Sequence, residues 1–247
     1  MILFVFEGKN PETSIYRAIE RICNLQGNTI VCSFGNNIYE LYKKMLSLDG
    51  YGDIVNVVKE YNPNESSKLE GLSSSSFSEI YLFFDYDFHH NSGLTLPELN
   101  EQLEDMLEYF VEETDNGKLY INYPMSDSIR HLKSLPDNDY LRYTISRDDC
   151  KRYKEYVAAF SGYKNWDFIS FRNSRPEDMI AQNWEMLKKM NVEKANYIVS
   201  GNACIPEKKA DIDQHAIFEA QVRKYVNPDE RVAILSSFPI FLYDYLR

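Results

Sequence analysis

The sequence predicts an α/β protein: a small parallel, Rossmann-like sheet flanked by helices in residues 1–125, with a mainly helical extension in residues 126–247 that packs on it. Two short apolar runs, residues 2–6 and 80–84, have the length and the aromatic content of buried strands. Amphipathic helical patterns alternate with such runs. Strands that alternate with helices at this spacing are typical of β-α-β units, which pair their strands in parallel.

Length and composition are those of an ordinary globular chain. The 247 residues are 44% hydrophobic and 26% charged, as is common among soluble proteins. No apolar run approaches the roughly 20 residues that cross a bilayer. Residues 1–6 are apolar but lack a basic flank and end at Glu7, so we expect no signal peptide, no membrane association and a cytoplasmic location. The four cysteines have no C-x-x-C spacing, which favours reduced core residues over disulfides or a zinc site.

Negative charge is concentrated in the first half of the chain. The net charge is −11. Residues 1–125 contain 8 Lys and Arg against 20 Asp and Glu, which gives −12, and residues 126–247 contain 19 against 18, which gives +1. Nucleic-acid binding depends on neutralising phosphates. The overall charge therefore counts against nucleic acid as a partner, although a local basic groove in the second half is compatible with it.

An acidic residue directly follows the first predicted strand. Glu7 and Gly8 come after residues 2–6. Asn10 and Pro11 then form a helix start, because asparagine caps well and proline needs no N–H partner in the first turn. The apolar face of this helix consists of Ile15, Ala18, Ile19, Ile22 and Cys23. Glu7 is therefore predicted to lie on a strand-to-helix turn.

Two carboxylates follow the apolar run at residues 80–84. Asp85 and Asp87 are one residue apart, and their side chains point the same way if the strand continues that far. Open α/β sheets bind ligands at the carboxyl ends of their strands, and two crowded carboxylates repel unless a cation or a proton lies between them. Oxygen ligands alone favour Mg²⁺, Mn²⁺ or Ca²⁺. The alternative is a polar loop with both acids solvated.

This combination resembles the Toprim domain of topoisomerases, primases and nucleases of the overcoming-lysogenization-defect type. The matching residues are Glu7, Gly8, Asp85 and Asp87, and Glu12 lies roughly where the nuclease branch often has a further acid. The resemblance covers about the first half of the chain. It implies that the glutamate and both aspartates gather at one end of the sheet and bind a divalent metal, Mg²⁺ or Mn²⁺.

The chain departs from the Toprim pattern just after the second aspartate. Phe88, His89 and His90 follow it, where many Toprim proteins soon have a glycine. The resemblance therefore supports the fold better than any one activity. His89, and less so His90, is a candidate for proton transfer or phosphate contact, because histidine titrates near neutral pH. The alternative is a pair of exposed loop residues.

Polar residues also follow the strand predicted at residues 118–124. Ser126 is a typical N-cap and Asp127 suits the first turn of a helix. Because Asp127 also lies past the carboxyl end of a strand, it is a fourth candidate metal ligand. Arg130 and His131 are candidates for contact with substrate phosphate, and the alternative for both is an ordinary surface position.

The rest of the first half is predicted from shorter signals. A strand at residues 28–34 precedes a turn and helix cap at residues 35–37. Residues 49–78 are predicted to form a polar surface excursion with a short helix near residues 54–61. Thr95 begins a capping box, and the acids of the helix that follows are assigned to its solvated face.

The second half is predicted to be mainly helical. Helices are expected to begin at Ser146 and to span residues 176–190 and 211–226. A further helix, with a capped start at Asn227, is expected at residues 232–235. Residues 140–163 interleave aromatic and basic side chains. This pattern is found in single-strand nucleic-acid binders, but aromatic packing under a solvated basic face is the commoner cause.

Three functions fit these features. A metal-dependent phosphodiester hydrolase would use Glu7, Asp85 and Asp87 to bind the ions. Compact Toprim proteins with a helical extension also resemble components of bacterial anti-phage systems, which implies nucleic acid as the substrate. A nucleotide-sugar transferase could use the two aspartates for a metal diphosphate, but it leaves Glu7 without a role. The non-enzymatic alternative is an inactive scaffold that binds a protein partner or a second copy of itself.

Overall fold

The computed structural model describes residues 1–8, 12–47, 52–90, 93–171 and 176–246. The helix start predicted at Asn10 and Pro11 lies outside the described residues, as does the beginning of the excursion predicted at residues 49–78.

Four parallel strands form the central sheet. They are β1 (Ile2–Phe6), β2 (Thr29–Ser33), β3 (Glu79–Asp85) and β4 (Lys118–Asn122). Their order across the sheet is β2-β1-β3-β4. Ile2 lies beside Thr29 on one side and Glu79 on the other, and Tyr81 lies beside Lys118. The predicted α/β class and parallel sheet are confirmed.

Helices fill the connections and most of the second half. They are α1 (Glu12–Ile22), α2 (Ile38–Leu46), α3 (Ile54–Tyr61), α4 (Pro63–Ser66), α5 (Leu96–Tyr109), α6 (Arg147–Cys150), α7 (Tyr153–Phe160), α8 (Glu177–Ser200), α9 (Gln214–Gln221), α10 (Asn227–Asp229) and α11 (Ser237–Tyr245). Helix α1 connects β1 to β2, helices α2 to α4 lie between β2 and β3, and α5 connects β3 to β4. Within the described residues, no helix is both long enough and apolar enough to cross a bilayer.

Local capping follows the sequence signals where the structure describes them. Asn37 accepts a hydrogen bond from the Glu40 backbone N–H at 3.0 Å and begins α2. Thr95 and Glu98 form the predicted capping box of α5. The acidic residues at positions 101, 104 and 108 of α5 are exposed. These predictions are confirmed.

A second, two-stranded sheet corrects one prediction. Strands β5 (Thr144–Ser146) and β6 (Arg231–Ala233) pair in antiparallel fashion, and Leu235 then bridges to Tyr123, just past β4. The helix predicted at residues 232–235, after a start at Asn227, is wrong, because α10 ends at Asp229 and a strand follows. The aliphatic residues after it gain backbone partners and burial in the sheet, and this tertiary pairing outweighs the local cap signal.

One face of the central sheet is aromatic, and α11 covers it. The Phe83 ring stacks on Phe6, Tyr120 and Phe238 with centroids 5.2, 5.2 and 5.1 Å away. Phe241 meets the same ring edge-on at 5.4 Å. Because Phe238 and Phe241 belong to α11, the C-terminal helix is part of the core of the first-half sheet. A domain boundary at residue 125 stays a prediction.

Side chains cap both edges of the central sheet. On the β2 edge, Asn62 donates to the Ser33 carbonyl at 2.8 Å and Lys68 donates to the Val31 carbonyl at 2.9 Å. On the β4 edge, the Gln214 side chain accepts from the Ile121 N–H at 3.0 Å. These bonds satisfy two carbonyls of β2 and one N–H of β4, groups of the kind that an uncovered sheet edge leaves unpaired.

The segment between β2 and β3 covers the sheet edge and is not a polar surface excursion. The short helix expected near residues 54–61 is present as α3, and its Ile54, Val55, Val57 and Val58 are buried. The loop-like stretches at residues 61–67 and 71–76 suggested a surface segment, but the four apolar residues of α3 pack in the core.

We expect the two halves of the chain to unfold together. Phe241→Ala should lower the free energy of unfolding by about 3–5 kcal/mol, because it removes a buried ring that contacts three strands. Urea unfolding followed by far-UV circular dichroism reports on the whole chain, and tryptophan fluorescence reports on Trp166 and Trp184 in the second half. Val111→Ala, at an exposed side chain, should change stability by no more than about 0.5 kcal/mol. Separate transitions for the two signals would contradict the shared core.

Candidate metal centre

The carboxyl ends of β1 and β3 bring three carboxylates together. Glu7, Asp85 and Asp87 each offer one oxygen, and these oxygens lie within 4.8 Å of one another. Among the described residues, this is the one group of three or more His, Cys, Asp or Glu with that geometry. The sequence-based expectation that these three residues meet is confirmed.

The backbone of Glu7 is held between two strands. Its N–H donates to the Phe83 carbonyl at 3.0 Å, and its carbonyl accepts from Gly35 at 2.8 Å. Its side-chain Oε2 accepts from the Asp85 N–H at 2.9 Å. The sheet register therefore places the Glu7 carboxylate directly beside the end of β3.

Asp87 reaches the cluster by a turn and not by continuation of the strand. Strand β3 ends at Asp85, and Asp87 has φ +47°, in the left-handed region that aspartate tolerates better than most residues. The Tyr86 N–H donates to Asn122 and the Asp87 N–H donates to Pro124, at 3.0 and 3.2 Å. The end of β4 thus holds the turn in place. The two aspartates converge as predicted, but strand alternation is not the reason.

The two aromatic residues that flank Asp87 are buried, and their contacts fix the shape of the turn. Tyr86 and Phe88 are fully buried, and their rings stack with centroids 5.4 Å apart. The Tyr86 hydroxyl donates to Asn100 at 2.6 Å, and its carbonyl accepts from Tyr39 at 2.8 Å. Phe88, which departs from the Toprim pattern, is therefore an anchor of the turn.

Glu12 is a further carboxylate of this site. In the sequence, only the resemblance to Toprim nucleases indicates it. It lies in the first turn of α1, is 5% exposed, and its Oε2 has no hydrogen-bond partner. Ser126, predicted as an N-cap, makes no capping bond; its side chain instead lowers the pKa of Glu12. Helical spacing alone places Glu12 on a helix but does not show that this helix faces the sheet end.

Burial and mutual repulsion raise the pKa values of the cluster. The pKa values of Glu7 and Asp85 lie well above their usual range. Burial is the largest cause, and the charges of neighbouring carboxylates raise these pKa values further. Burial raises the pKa of Asp87 to about 6, although His90 and Lys154 act against it. Burial also raises the pKa of Glu12. A divalent cation would relieve this repulsion, and an all-oxygen donor set fits Mg²⁺ or Mn²⁺.

Cations from the second half act on the acidic cluster and on His89. Lys154, an exposed residue of α7, lowers the pKa values of both Glu12 and Asp87, so its ammonium group lies near them. Burial, followed by the charges of Lys151 and Arg147, lowers the pKa of His89. His89 is therefore neutral at pH 7, and its buried Nδ1 has no hydrogen-bond partner. The ring of His90 stacks on Tyr39.

Asp127 is buried near this site but is bound to an arginine. Its Oδ1 accepts from Arg130 Nε at 2.9 Å and pairs with Nη2 at 2.8 Å. Arg130 also donates to the Lys164 carbonyl at 3.3 Å and lies over the Trp166 ring. Asp127 is not in the group of oxygens within 4.8 Å, although its charge raises the pKa of Glu12. Metal binding by Asp127 and phosphate contact by Arg130 stay predictions.

His131 lies in an aromatic cluster away from solvent. It is 2% exposed, its Nδ1 is 3.0 Å from the Tyr153 hydroxyl, and its ring is 4.5 Å from Phe160. Burial lowers its pKa to about 3, so the ring is neutral. Contact between His131 and a substrate phosphate stays a prediction, and these surroundings do not favour it.

Open space adjoins the turn after β1. A cleft of about 340 Å³ is lined by residues that include Gly8, Tyr16, Arg17, Ser33 and Lys68. Its lining carries both cations and acids.

Comparison of the chain with protein-family models, with curated proteins and with solved structures gives no match. The Toprim resemblance therefore rests on the quoted residues alone and stays a prediction.

Without metal, the cluster should destabilise the folded protein increasingly as the pH rises. Carboxyls whose pKa values rise on folding stabilise the folded state at a pH below their unfolded values, near 4. This contribution is lost as the pH rises through the folded values, about 6 for Asp87. We expect Asp85→Asn/Asp87→Asn to be more stable than wild type at pH 7.5, and the difference to shrink toward pH 4.

Urea unfolding in EDTA between pH 4 and pH 8 measures this difference. The difference in free energy of unfolding between the two proteins should change by no more than about 1.4 kcal/mol per pH unit for each group that titrates. Glu101→Gln/Glu108→Gln on the exposed face of α5 is the matched control and should show little change. A difference that does not vary with pH would show that the aspartates are not held in a repulsive cluster.

Proposed function

We propose that the protein is a divalent-metal-dependent phosphodiester hydrolase that acts on nucleic acid. The observation that carries the proposal is the convergence of Glu7, Asp85 and Asp87 within 4.8 Å, with Asp85 buried and Glu7 and Asp87 half-buried. Glu12 adds a buried oxygen without a partner. Carboxylate clusters of this kind, at the carboxyl ends of parallel strands, are suited to binding metal and substrate together.

The residues present fit Mg²⁺ or Mn²⁺. Glu7, Asp85 and Asp87 would hold the ion, and Glu12 extends the donor set. When bound, such an ion polarises a phosphate oxygen and lowers the pKa of a coordinated water.

The cations and the histidine near the cluster suggest the remaining roles. Lys154 faces the carboxylates from α7, where its ammonium group can bind a non-bridging phosphate oxygen and stabilise the charge that develops there. Neutral His89 offers a ring nitrogen that can accept a proton or a hydrogen bond.

The competing functions account for fewer of these contacts. A nucleotide-sugar transferase gives no role to Glu7, which lies within the cluster. A scaffold without turnover has no use for several carboxylates whose burial and repulsion act against folding. Nucleic acid as the substrate, a place in phage defence and a cytoplasmic location rest on the sequence and its resemblance.

Metal should stabilise the wild-type protein. At a concentration about 100 times its dissociation constant, Mn²⁺ or Mg²⁺ should add about 2.7 kcal/mol to the free energy of unfolding. For a chain of this size, that is a rise in Tm of about 5–10 °C. Asp85→Asn/Asp87→Asn should show no rise, and Glu101→Gln/Glu108→Gln should behave like wild type. Differential scanning calorimetry with and without the metal gives the result.

Hydrolysis is tested on a small substrate and then on nucleic acid. Bis(p-nitrophenyl) phosphate reports phosphodiester cleavage without a nucleic-acid binding surface, and labelled DNA and RNA then identify the substrate. Glu7→Gln and Asp85→Asn should each lower kcat by about 10²–10³, and Lys154→Met by about 10–100, because each removes charge from the reacting centre. A wild-type protein that is neither stabilised by metal nor active on any of these substrates would leave the scaffold as the function.

A further inference from the structure

We infer that Asn122 is a positioning residue for Asp85, and that Ser237, at the start of α11, fixes the orientation of Asn122. This inference rests on the proposed function, because it concerns the same metal centre. It goes further by assigning the C-terminal helix a role in that centre, although α11 supplies none of the clustered carboxylates.

Asn122 is the last residue of β4 and is 1% exposed. Its Nδ2 donates to Asp85 Oδ1 at 3.3 Å. Its Oδ1 accepts from two donors of Ser237, the backbone N–H and the hydroxyl, both at 3.0 Å. The Asn122 side chain therefore bridges a candidate metal ligand and a helix that lies 115 residues further along the chain.

The two donors of Ser237 determine which way the Asn122 amide faces. A backbone N–H can only donate, so the atom of Asn122 that it meets must be the oxygen. The NH₂ group must then point to Asp85, where it meets an acceptor. If the amide were flipped, the NH₂ group would face the Ser237 N–H and the amide oxygen would face the Asp85 carboxylate. Ser237 thus keeps a donor aimed at Asp85.

The packing of α11 against the sheet holds Ser237 in place. The next residue, Phe238, stacks on Phe83 at 5.1 Å, and Phe241 one turn later lies against the same ring. Asp85 is two residues beyond Phe83 and its side chain lies on the same face of β3. Docking of α11 on the aromatic face of the sheet therefore also orients Asp85, because Ser237 holds Asn122 and Asn122 bonds Asp85.

Groups that orient metal ligands in this way typically change metal affinity by about 10–100-fold when they are removed. We expect Asn122→Ala to weaken Mn²⁺ binding by that factor. Ser237→Ala keeps the backbone donor and loses only the hydroxyl, so we expect a loss of about threefold. Ser236→Ala is the matched control: Ser236 is adjacent in sequence and fully buried, but its hydroxyl has no hydrogen-bond partner. Its Mn²⁺ affinity should equal that of wild type.

Isothermal titration calorimetry with Mn²⁺ tests the inference on the 247-residue wild type, Asn122→Ala, Ser237→Ala, Ser236→Ala and Asn122→Ala/Ser237→Ala. The loss caused by Ser237→Ala should disappear when Asn122 is already alanine, because Ser237 acts through the Asn122 amide. A purely structural effect of Ser237 would be the same in both backgrounds. Circular dichroism confirms that each variant is folded, and if Asn122→Ala does not fold, the comparison of Ser237→Ala with Ser236→Ala decides.

The outcomes separate this inference from the proposed function. If wild type binds Mn²⁺ and Asn122→Ala binds it equally well, Asn122 does not position Asp85. If Ser237→Ala and Ser236→Ala have the same affinity, the role of α11 is overturned. If wild type itself binds no Mn²⁺, the metal-dependent hydrolase fails, and this inference fails with it.

Discussion

The structure depends on keeping three carboxylates together at one end of the sheet, where partial burial weakens the screening of their charges by water. Glu7, Asp85 and Asp87 meet at the end of a parallel sheet, and burial raises the pKa values of all three. Their repulsion would separate them if their backbones were free to move. The sheet register holds Glu7, the backbone bonds from the end of β4 hold the turn at Asp87, and Asn122 holds Asp85. A divalent cation is the simplest partner for such a site.

The two halves of the chain supply opposite charges to the same place. The carboxylates come from the first half, whose net charge is −12, and Lys154, whose charge lowers the pKa values of Glu12 and Asp87, comes from the second half. The second half also covers the aromatic face of the sheet through α11. An overall charge of −11 therefore does not describe the surroundings of the carboxylates, which also include a lysine of the second half.

Sequence signals were most reliable where local chemistry decides the structure. Strand length and apolar content located β1 and β3, and the capping residues Asn37 and Thr95 located two helix starts. They failed where distant partners decide. Ser126 makes no capping bond, and its side chain acts on the pKa of Glu12, which is distant in sequence. Residues 231–233 form a strand because Thr144–Ser146 lies beside them.

The sequence by itself determined that carboxylates follow β1 and β3, and parallel pairing of these strands then requires Glu7, Asp85 and Asp87 to lie at one edge. Tertiary structure alone decided the rest. The left-handed backbone conformation of Asp87 turns this residue toward Glu7 and Asp85. Helices α1 and α7 bring Glu12 and Lys154 to the site. The tertiary structure also bound Asp127 to Arg130 and enclosed His131 among aromatic rings. The physical reason is that burial, ion pairing and amide orientation depend on residues far apart in the chain, whereas strand and helix periodicity depends on neighbours.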